Sequence, residues 1–570
     1  MNMKRKRKSL KFSKQESFYL PDECWELVFK FLKDDDEDNL KFLSLVSKQF
    51  FFITNRLRSS LTLYYPFRPN LFQRFTDLIS LNLTCFHGDL NTFLSQISCF
   101  RLNLTSLDLS NKPTIPANGL RIFSKNITTL TSLTCSNLYS FKTNDLLLIA
   151  DCFPLLEELN LSNPAKCRGK FLKKLEALSL ALFKLRKVDL YGHKYINDKM
   201  IFQLFKNCKH LEEANLLCCF KITTTGFALA LSERPSLRSF SFSTPFSDSV
   251  VRDSVVRLKS LTCLHLLGSI ISNDLLSSIA KEGLPLRTII LQNCPGYSYV
   301  GIFNLLSKCQ HIQHLDLQNA GFLNDQHVVE LSLFLTDLVS INLSYCKKLT
   351  KAALFALVRN CHTLDEIQMR GIGRKSIHNT NSWIHSDVYP QLKYLYLSYN
   401  SWLTDEGITA FASIFPNLQL FDVNDCENIS EEGIGQVLRR CFNIKQLNLA
   451  NCSKVKTLGR NFGVSKLEVL NLSDTQVDDE ALYVISKCCR QLSQLNLKWC
   501  EYVTEKGVKH VINNCAYMRE INLRGCFKVH YSFVASMALR PSLKKITTPS
   551  RYELNKKERK LFSQHGCHVC

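Results

Sequence analysis

The apolar positions of this chain recur in a short phrase in which aliphatic and polar residues alternate. The phrase is a leucine, two variable residues, an aliphatic, one variable residue and another aliphatic, as in LSQLNLKWC from Leu492. It occurs nineteen times between Leu78 and Leu543, at intervals of about 26 residues. Such a regular period is typical of a protein built from stacked structural repeats.

Each phrase predicts a short strand with one buried face. Because alternate side chains of a strand point to opposite faces, Leu495 and Leu497 should enter a core while Asn496 and Lys498 stay outside. One repeat cannot bury that aliphatic face alone, but a stack of parallel strands makes a continuous core. At about 4.8 Å per strand, the stack would form an arc about 90 Å long, which is a large surface for recognition.

The segment that follows each phrase has a helical period instead. Thr404, Ser430 and Thr504 are good N-cap residues, and apolar residues such as Val508 and Val511 then recur at helical spacing. The predicted fold class is therefore α/β. We expect a solenoid with parallel strands on its concave face and helices on its convex face.

Cysteine completes the repeat pattern over residues 78–570. It stands at the ninth position of many phrases and again three residues before a phrase begins. In this respect the solenoid of about 19 repeats resembles the cysteine-containing class of leucine-rich repeats. The ninth position holds Cys219, Cys294, Cys346, Cys426, Cys452, Cys500 and Cys526, and the position before the phrase holds Cys208, Cys309, Cys361, Cys441, Cys489 and Cys515.

Thirteen of the 24 cysteines lie in these repeat positions, so we expect buried free thiols rather than a disulfide framework. Neighbours such as Cys426 and Cys452 would nevertheless lie within disulfide reach. The amino terminus has no apolar signal segment, which predicts a reducing compartment. No run of the sequence approaches the roughly eighteen apolar residues that a membrane span needs.

The last residues, CHVC from Cys567, allow three interpretations. With His565 and His568 they could form a metal clip, but a second ligand pair is not evident and the other cysteines are dispersed, so we predict no metal. The same residues have the form of a prenylation box, which His568 and Cys570 fit poorly. We expect an ordinary frayed terminus.

A compact helical pattern precedes the repeats, between residues 18 and 65. Pro21 suits the first turn of a helix, and apolar residues recur at helical spacing from Trp25 to Leu32. The acidic run from Asp34 to Asp38 predicts a solvated loop before a second apolar run. The segment is too short to bury its apolar face well, so it should need a partner or the adjacent solenoid.

Residues 18–65, here called the head, are followed by a connector at 66–77. The head resembles an F-box in its Leu-Pro pair, its tryptophan and its LSLVSKQF run. The expanded acidic loop departs from the family pattern. The F-box/LRR resemblance implies docking onto the Skp adaptor, and through it onto cullin, in an SCF-type ubiquitin ligase. The alternative is a helical cap for the solenoid. The residues expected to bind Skp are Leu20, Pro21, Glu23, Trp25, Val28, Phe29, Leu32, Leu43, Leu45 and Val46.

The resemblance implies a non-catalytic subunit that holds a protein target for ubiquitination and proteasomal degradation. Proximity alone can accelerate a reaction. The sequence contains no P-loop, dinucleotide glycine fingerprint or GxSxG elbow, so we expect no enzyme activity and no cofactor. Two alternatives are a scaffold that does not direct ubiquitination and a hormone co-receptor. The insertions NPAKCRGKFLKK and GIGRKSIHNTNSW are shorter than the loops of such receptors.

Most outward positions of the strand phrase are Asn, Ser or Asp, and the exceptions are expected to bind the target. Exposed aromatic and cationic side chains are favoured interface anchors. The exceptions are Arg370, Tyr396, Tyr399, Lys498, Trp499 and Arg524. For Trp499 the alternative is packing against the next turn.

The net charge of +22 belongs mostly to the repeats, since residues 1–70 carry 14 basic and 9 acidic side chains and the rest of the chain carries 58 and 41. A basic solenoid attracts an acidic or phosphorylated protein segment or an inositol phosphate. Nucleic acid is less favoured because the sequence has no recognisable binding module.

Residues 1–17 are predicted to be a basic, disordered tail. Its cluster is a candidate nuclear localisation signal, against the alternative of a solvated tail. The cluster comprises Lys4, Arg5, Lys6, Arg7 and Lys8. We therefore expect the nucleus or the cytoplasm, without secretion and without a membrane partner.

Overall fold

The computed structural model describes residues 20–35, 40, 43–64, 70–75, 77–168, 172–243, 248–373, 387–459, 466–537, 540, 542–549, 561–562 and 567–569. The basic tail with Lys4 to Lys8 lies outside these residues, as do His565, Cys570 and parts of the acidic run, the connector and both insertions. The described residues belong to two compact units, Met1–Asp108 with Pro116–Thr131 and Leu109–Ile115 with Ser132–Cys570.

The first unit opens with two helices and continues into parallel strands. Its elements are α1 (Asp22–Asp35), α2 (Lys48–Leu57), β1 (Ser60–Thr62), α3 (Asn70–Arg74), β2 (Ser80–Asn82), α4 (Leu90–Ile97), β3 (Ser106–Asp108) and α5 (Ala117–Asn126). β1 pairs with β2 and β2 with β3, in register from Leu61 to Leu81 to Leu107. Strand pairing therefore begins at Ser60, inside the segment predicted as the head, and α1 continues into the start of the predicted acidic loop.

The second unit repeats strand and helix throughout. Its elements are β4 (Ser132–Thr134), β5 (Ser140–Lys142), α6 (Thr143–Cys152), β6 (Glu158–Asn160), β7 (Lys166–Arg168), α7 (Leu172–Ala181), β8 (Lys187–Asp189), α8 (Asp198–Asn207), β9 (Glu213–Leu216), α9 (Thr224–Ser232), β10 (Ser239–Phe242), α10 (Asp248–Val256), β11 (Cys263–Leu267), α11 (Asn273–Glu282), β12 (Thr288–Gln292), α12 (Tyr299–Lys308), β13 (His314–Asp316), α13 (Asp325–Ser332), β14 (Ser340–Asn342), α14 (Lys351–Asn360), β15 (Glu366–Gln368), β16 (Tyr394–Tyr396), α15 (Asp405–Ile414), β17 (Leu420–Asp422), α16 (Glu431–Arg440), β18 (Gln446–Asn448), β19 (Val469–Asn471), α17 (Asp479–Cys488), β20 (Gln494–Asn496), α18 (Glu505–Asn514), β21 (Glu520–Asn522), α19 (Tyr531–Met537), β22 (Lys545–Thr547) and β23 (His568–Val569).

The α/β fold and the repeat strands are confirmed. Each of the nineteen phrases forms a strand, and within the second unit these strands pair in parallel with their neighbours, as at Leu470, Leu495 and Ile521. The inward side chains are buried, with Leu495 2% exposed and Leu497 fully buried. The first insertion contributes β7, which pairs with β5 outside the main ladder.

The end of the chain is more ordered than predicted. His568 and Val569 pair in parallel with Lys545 and Ile546, and Cys567 is buried. The expectation of a frayed terminus was therefore wrong. The sequence misses this last strand because CHVC lacks the flanking leucines that mark the other repeats.

The helices of the second unit begin at the predicted N-caps and are tied to the helix before. The Ser430 hydroxyl accepts the Glu432 N–H, while its own N–H and hydroxyl donate to the carboxylate of Asp405 at 2.8 and 2.6 Å. Thr504 and Asp479 repeat this arrangement. Ser430 and Thr504 therefore each link two repeats as well as starting one helix.

The repeat cysteines also link adjacent repeats. In the ninth position the Cys452 thiol donates to the Val423 carbonyl at 3.2 Å and the Cys500 thiol to the Leu472 carbonyl at 3.0 Å. Asn400 occupies the same position in another repeat and donates to the carbonyl of Met369 at 2.9 Å. The prediction of buried free thiols is confirmed for all thirteen repeat cysteines.

Candidate functional site

The two head helices close a small core of their own. Phe29, Leu40 and Ile53 are buried, and Trp25 and Phe50 pack against them, with the Trp25 and Phe50 rings 4.7 Å apart. The predicted Skp-binding residues Leu32 and Leu43 are also partly buried against this cluster. The side chains of Trp25, Phe29, Leu32 and Leu43 thus hold the head together.

Polar contacts fix how α1 and α2 lie against each other. Arg56 on α2 pairs with Asp22 at 3.2 Å and with Glu26 at 2.7 Å on α1. Gln49 donates to Asp22 at 2.8 Å, and this bond, with help from Arg56, lowers the pKa of the Asp22 carboxyl. Exposed ion pairs contribute little stability, so their main effect is on helix orientation.

The remaining predicted Skp-binding residues lie on the outside of the head. Leu20, Pro21, Glu23, Val28, Leu45 and Val46 are exposed. Among the large apolar side chains that the pattern missed are Leu27 and Phe31, which are 68% and 72% exposed. Their spacing of four residues on α1 was the available signal, because such residues share one helix face.

The predicted target-binding residues form two separate groups. Arg370 and Tyr396 touch, with the guanidinium 4.5 Å from the ring centroid, and Arg370 Nε lies 3.6 Å from the nearly buried carboxylate of Asp422. Lys498 and Trp499 lie after β20, and Arg524 lies after β21. Four strand spacings separate β16 from β20, or about 19 Å.

Burial raises the pKa of the Tyr396 phenol, and the carboxylate of Glu366 adds to the effect. Arg370 also donates to the Gln368 side chain at 2.6 Å. The polar groups of this first group are therefore largely paired with one another, through contacts that cross β15, β16 and β17.

The eighth position of the phrase has a left-handed backbone in many repeats. Asparagine and aspartate tolerate this conformation, and they fill the position at Asn111, Asn137, Asn163, Asn293, Asn319, Asp425, Asn451 and Asp474. Tyr345, Tyr399 and Trp499 share it, each with φ 62°. For bulky L-residues this conformation costs on the order of 1–2 kcal/mol.

Trp499 packs against the next repeat without becoming buried. A Cβ at Gly525 would lie 2.6 Å from Trp499 Cδ2, so glycine is required beside the indole. The Phe527 ring lies edge-on at 5.6 Å, and Trp499 keeps 42% of its surface exposed. Trp499 therefore packs against the next turn, as the alternative predicted, and also remains partly exposed.

The early strands of the second unit present a different surface. A polar cavity of about 340 Å³ lies over β4, β6, β8, β9 and β10. Lys187 Nζ lies 3.6 Å from Glu158 and 3.2 Å from Glu213, and burial raises the pKa of the Asp189 carboxyl. Among the residues lining this cavity, Glu158, Asp189 and Glu213 outnumber Lys187, so the surface does not favour an acidic partner.

Buried cysteines of the repeats are poorly suited to nucleophilic chemistry. Burial raises the pKa of Cys208, Cys219 and Cys346 to about 12, which disfavours the nucleophilic thiolate. Within the described ranges, no three His, Cys, Asp or Glu side chains converge as a metal site would require. Among the helices in those ranges, none is long and apolar enough to cross a bilayer.

Comparison with known proteins agrees with the repeat geometry. A family model described as "Leucine Rich repeat" matches residues 390–412 and 465–486. The chain therefore contains leucine-rich repeats. A rice relative, "Transport inhibitor response 1-like protein Os05g0150500" from Oryza sativa subsp. japonica, is 21% identical over 277 residues. That alignment covers 44% of this chain and 44% of the relative, less than half of either.

Two solved structures are similar to this leucine-rich-repeat chain. One is "Crystal structure of Rad7 and Elc1 complex in yeast", with a TM-score of 0.39, 17% identity and coverage of 85% of this chain and 94% of that one. The other is "Crystal structure of TLR13-ssRNA13 complex", with a TM-score of 0.36, 15% identity and coverage of 81% and 77%.

Proposed function

We propose that this leucine-rich-repeat protein is the substrate-recognition subunit of an SCF-type ubiquitin ligase. The head would bind the Skp adaptor and, through it, cullin, while the repeats hold a protein target for ubiquitination and proteasomal degradation. The observation that carries the proposal is the exposed apolar surface of the head. Its F-box-like sequence and the leucine-rich repeats that follow it support the same proposal.

The head is a folded unit with unused apolar surface. Phe29 and Ile53 close its core, yet Leu27, Phe31 and Leu45 remain 68%, 72% and 83% exposed. Soluble proteins rarely leave large apolar side chains clustered in water, and such surfaces mark interaction sites. A helical adaptor surface would bury them and leave the core contacts unchanged.

The ligase function needs no reactive group in this chain. The adaptor side brings the ubiquitin-conjugating machinery, the repeats bring the target, and holding the two together supplies a high effective concentration. The exposed cationic and aromatic residues of the later repeats suit an acidic or phosphorylated target.

Co-purification with Skp and cullin tests the adaptor side. The double variant Leu27→Glu with Leu45→Glu should abolish Skp and cullin recovery, because two charges would be placed in the apolar contact. Leu229→Glu, at an exposed leucine on α9, is the matched control and should leave recovery unchanged. Equal recovery with all three proteins would overturn the adaptor role.

Ubiquitin transfer separates a ligase subunit from a simple scaffold. A target captured by the head variant should accumulate unmodified in cells, whereas the target bound to the unchanged protein should carry ubiquitin. A target that stays unmodified with the unchanged protein, while Skp and cullin are bound, would favour the scaffold. Phosphatase treatment of the captured target then tests whether binding needs phosphate.

A further inference from the structure

We propose that one loop edge of the later repeats, here called the late patch, binds an acidic protein segment that carries an apolar anchor. The late patch consists of Lys498, Trp499, Tyr502, Arg524, Phe527 and Lys528. The inference deepens the proposed function, and it rests on that function for the statement that the bound segment belongs to the ligase's target.

The backbone of Trp499 is the first observation. Its φ of 62° is a conformation that most other repeats assign to asparagine, aspartate or glycine, while Tyr345 and Tyr399 also adopt it. A tryptophan here is disfavoured locally, and it stays 42% exposed instead of filling the core. Strained, exposed residues of this kind concentrate at binding sites, because folding alone does not favour them.

The neighbouring repeat extends Trp499 into an apolar platform. Phe527 lies 5.6 Å away and is 67% exposed. Gly525 leaves room for the indole, since any Cβ there would overlap it. Two adjacent exposed aromatic rings held by a rigid repeat form an anchor site for one apolar side chain of a partner.

Cations surround this platform. Neither Lys498 nor Arg524 forms an ion pair with any residue that the structure describes, in contrast to Arg370, which lies near Asp422. Lys528 lies over the Tyr502 ring at 5.2 Å and keeps its charge at the surface. Glu501 is the acidic residue between Lys498 and Tyr502, so the patch retains an excess of positive charge that favours an acidic segment.

A protein segment fits the late patch better than single-stranded nucleic acid. Bases bind by stacking on free ring faces along a continuous cationic groove. Here one side of Trp499 packs on Gly525, and Lys528 covers a face of Tyr502. The exposed ring edges suit an aliphatic or aromatic side chain, and the three cations suit a few carboxylates.

Fluorescence anisotropy with the full chain tests the inference directly. The probes are a short synthetic peptide of glutamates with two central leucines, the same peptide with serines for leucines, the same peptide with lysines for glutamates, and oligouridylate of equal length. The acidic leucine peptide should bind at least about tenfold more tightly than each other probe. Added salt should weaken its binding.

The variants replace patch residues by those of other repeats. Trp499→Asn and Arg524→Ser should each weaken the acidic leucine peptide about tenfold. Tyr345→Asn is the matched control, because Tyr345 has the same φ and lies against Gly371 in the same way, but outside the patch. Its binding should be unchanged, and circular dichroism should show all three variants folded.

Three results would overturn the inference. They are a loss of peptide binding with Tyr345→Asn as large as that with Trp499→Asn, binding of the serine peptide as tight as that of the acidic leucine peptide, and binding of oligouridylate tighter than that of the acidic leucine peptide. Skp recovery measured on the same proteins separates this inference from the proposed function. Trp499→Asn should keep Skp, and the Leu27→Glu with Leu45→Glu variant should keep the peptide. An unchanged protein that recovers Skp but binds no peptide would refute the late patch alone.

Discussion

The head and the repeats use apolar residues in opposite ways. In the head, Phe29, Leu40 and Ile53 make a small core while Leu27 and Phe31 remain exposed. A repeat such as that from Leu492 buries its inward leucines against the neighbouring repeats. A repeat finds its partner within the chain, whereas the described residues leave Leu27 and Phe31 of the head largely uncovered. Exposed apolar area, rather than apolar content, is what distinguishes the head from a repeat.

The largest expected effect is on the stability of the core of the head. Phe29→Ala should destabilise the head by about 3–5 kcal/mol, because it leaves a cavity in a core of few residues. Amide hydrogen exchange should accelerate in α1 and α2. Phe31→Ala, two residues away and exposed, should leave exchange unchanged while weakening Skp binding. Equal exchange in the two variants would contradict the division between core and surface.

The next largest effect comes from removing buried hydrogen bonds between repeats. Asn400 is fully buried, donates to the carbonyls of Met369 and Leu397, and accepts the N–H of Ile372. Asn400→Ala should lower the free energy of unfolding by about 3 kcal/mol, since several buried backbone groups lose their partner. Urea denaturation measures the change.

Cys426→Ala is the control for that variant, at the same position of the next repeat. One weak thiol bond to Leu397 is lost, so the expected decrease is about 1 kcal/mol. Equal losses at the two sites would show that these side chains act by volume rather than by hydrogen bonding.

A smaller effect on stability tests the hydrogen bonds between the Ser430 N-cap and the preceding helix. Asp405→Ala removes both bonds to Ser430 and should decrease the free energy of unfolding by about 1–2 kcal/mol. Glu406→Ala, in the same helical turn but exposed, should change it little. A thermal unfolding midpoint lowered equally by both substitutions would mean that helix-terminal charge, rather than the bond between repeats, is responsible.

Much of the fold follows from local rules that the sequence displays. The strand at Leu495 and the N-caps at Ser430 and Thr504 are predictable because alternation and capping depend on a few adjacent residues. The pairing of Ser60 with Ser80 and that of His568 with Lys545 are not, since Arg58 stands where a leucine opens the other phrases and the CHVC end has no leucine. Those two strands become visible only when the neighbouring strand is in place.

The candidate sites were less predictable than the fold. Trp499 could be selected as an outward aromatic residue, but its left-handed backbone and its contact with Gly525 depend on the next repeat. In the head, the exposure of Leu27 and the burial of Phe29 depend on how α1 and α2 pack, which helical spacing alone does not decide. The localisation signal from Lys4 to Lys8 stays a prediction.

The smallest expected effect is a loss of stability at acidic pH. His193 is 2% exposed, its Nε2 lies 2.8 Å from the Leu161 carbonyl, and burial lowers its pKa below the ordinary 6.5. The fold therefore favours neutral histidine. Its contribution is fully present above about pH 6.5 and is lost as pH falls towards the lowered value of the folded state.

Lowering the pH from about 7 to about 5.5 should decrease the free energy of unfolding through this histidine, because the unfolded chain gains a proton that the buried ring resists. Urea titrations at the two pH values measure the change. His193→Gln should remove most of this pH dependence, with a remainder from His265, whose pKa burial also lowers. An unaltered pH dependence in the variant would assign it to other groups.

Some recurring side-chain bonds between repeats run towards the preceding repeat, although others, such as that from Gln292 to Gln318, run the other way. The Cys452 thiol donates to Val423, the Ser430 hydroxyl to Asp405 and the Asn514 amide to Ser486, so each donor reaches a repeat that precedes it in sequence. During translation, a newly emerged repeat thus carries donors whose acceptors have already been synthesised. We expect the stack to grow from its amino-terminal side, one repeat at a time, without waiting for the carboxyl terminus.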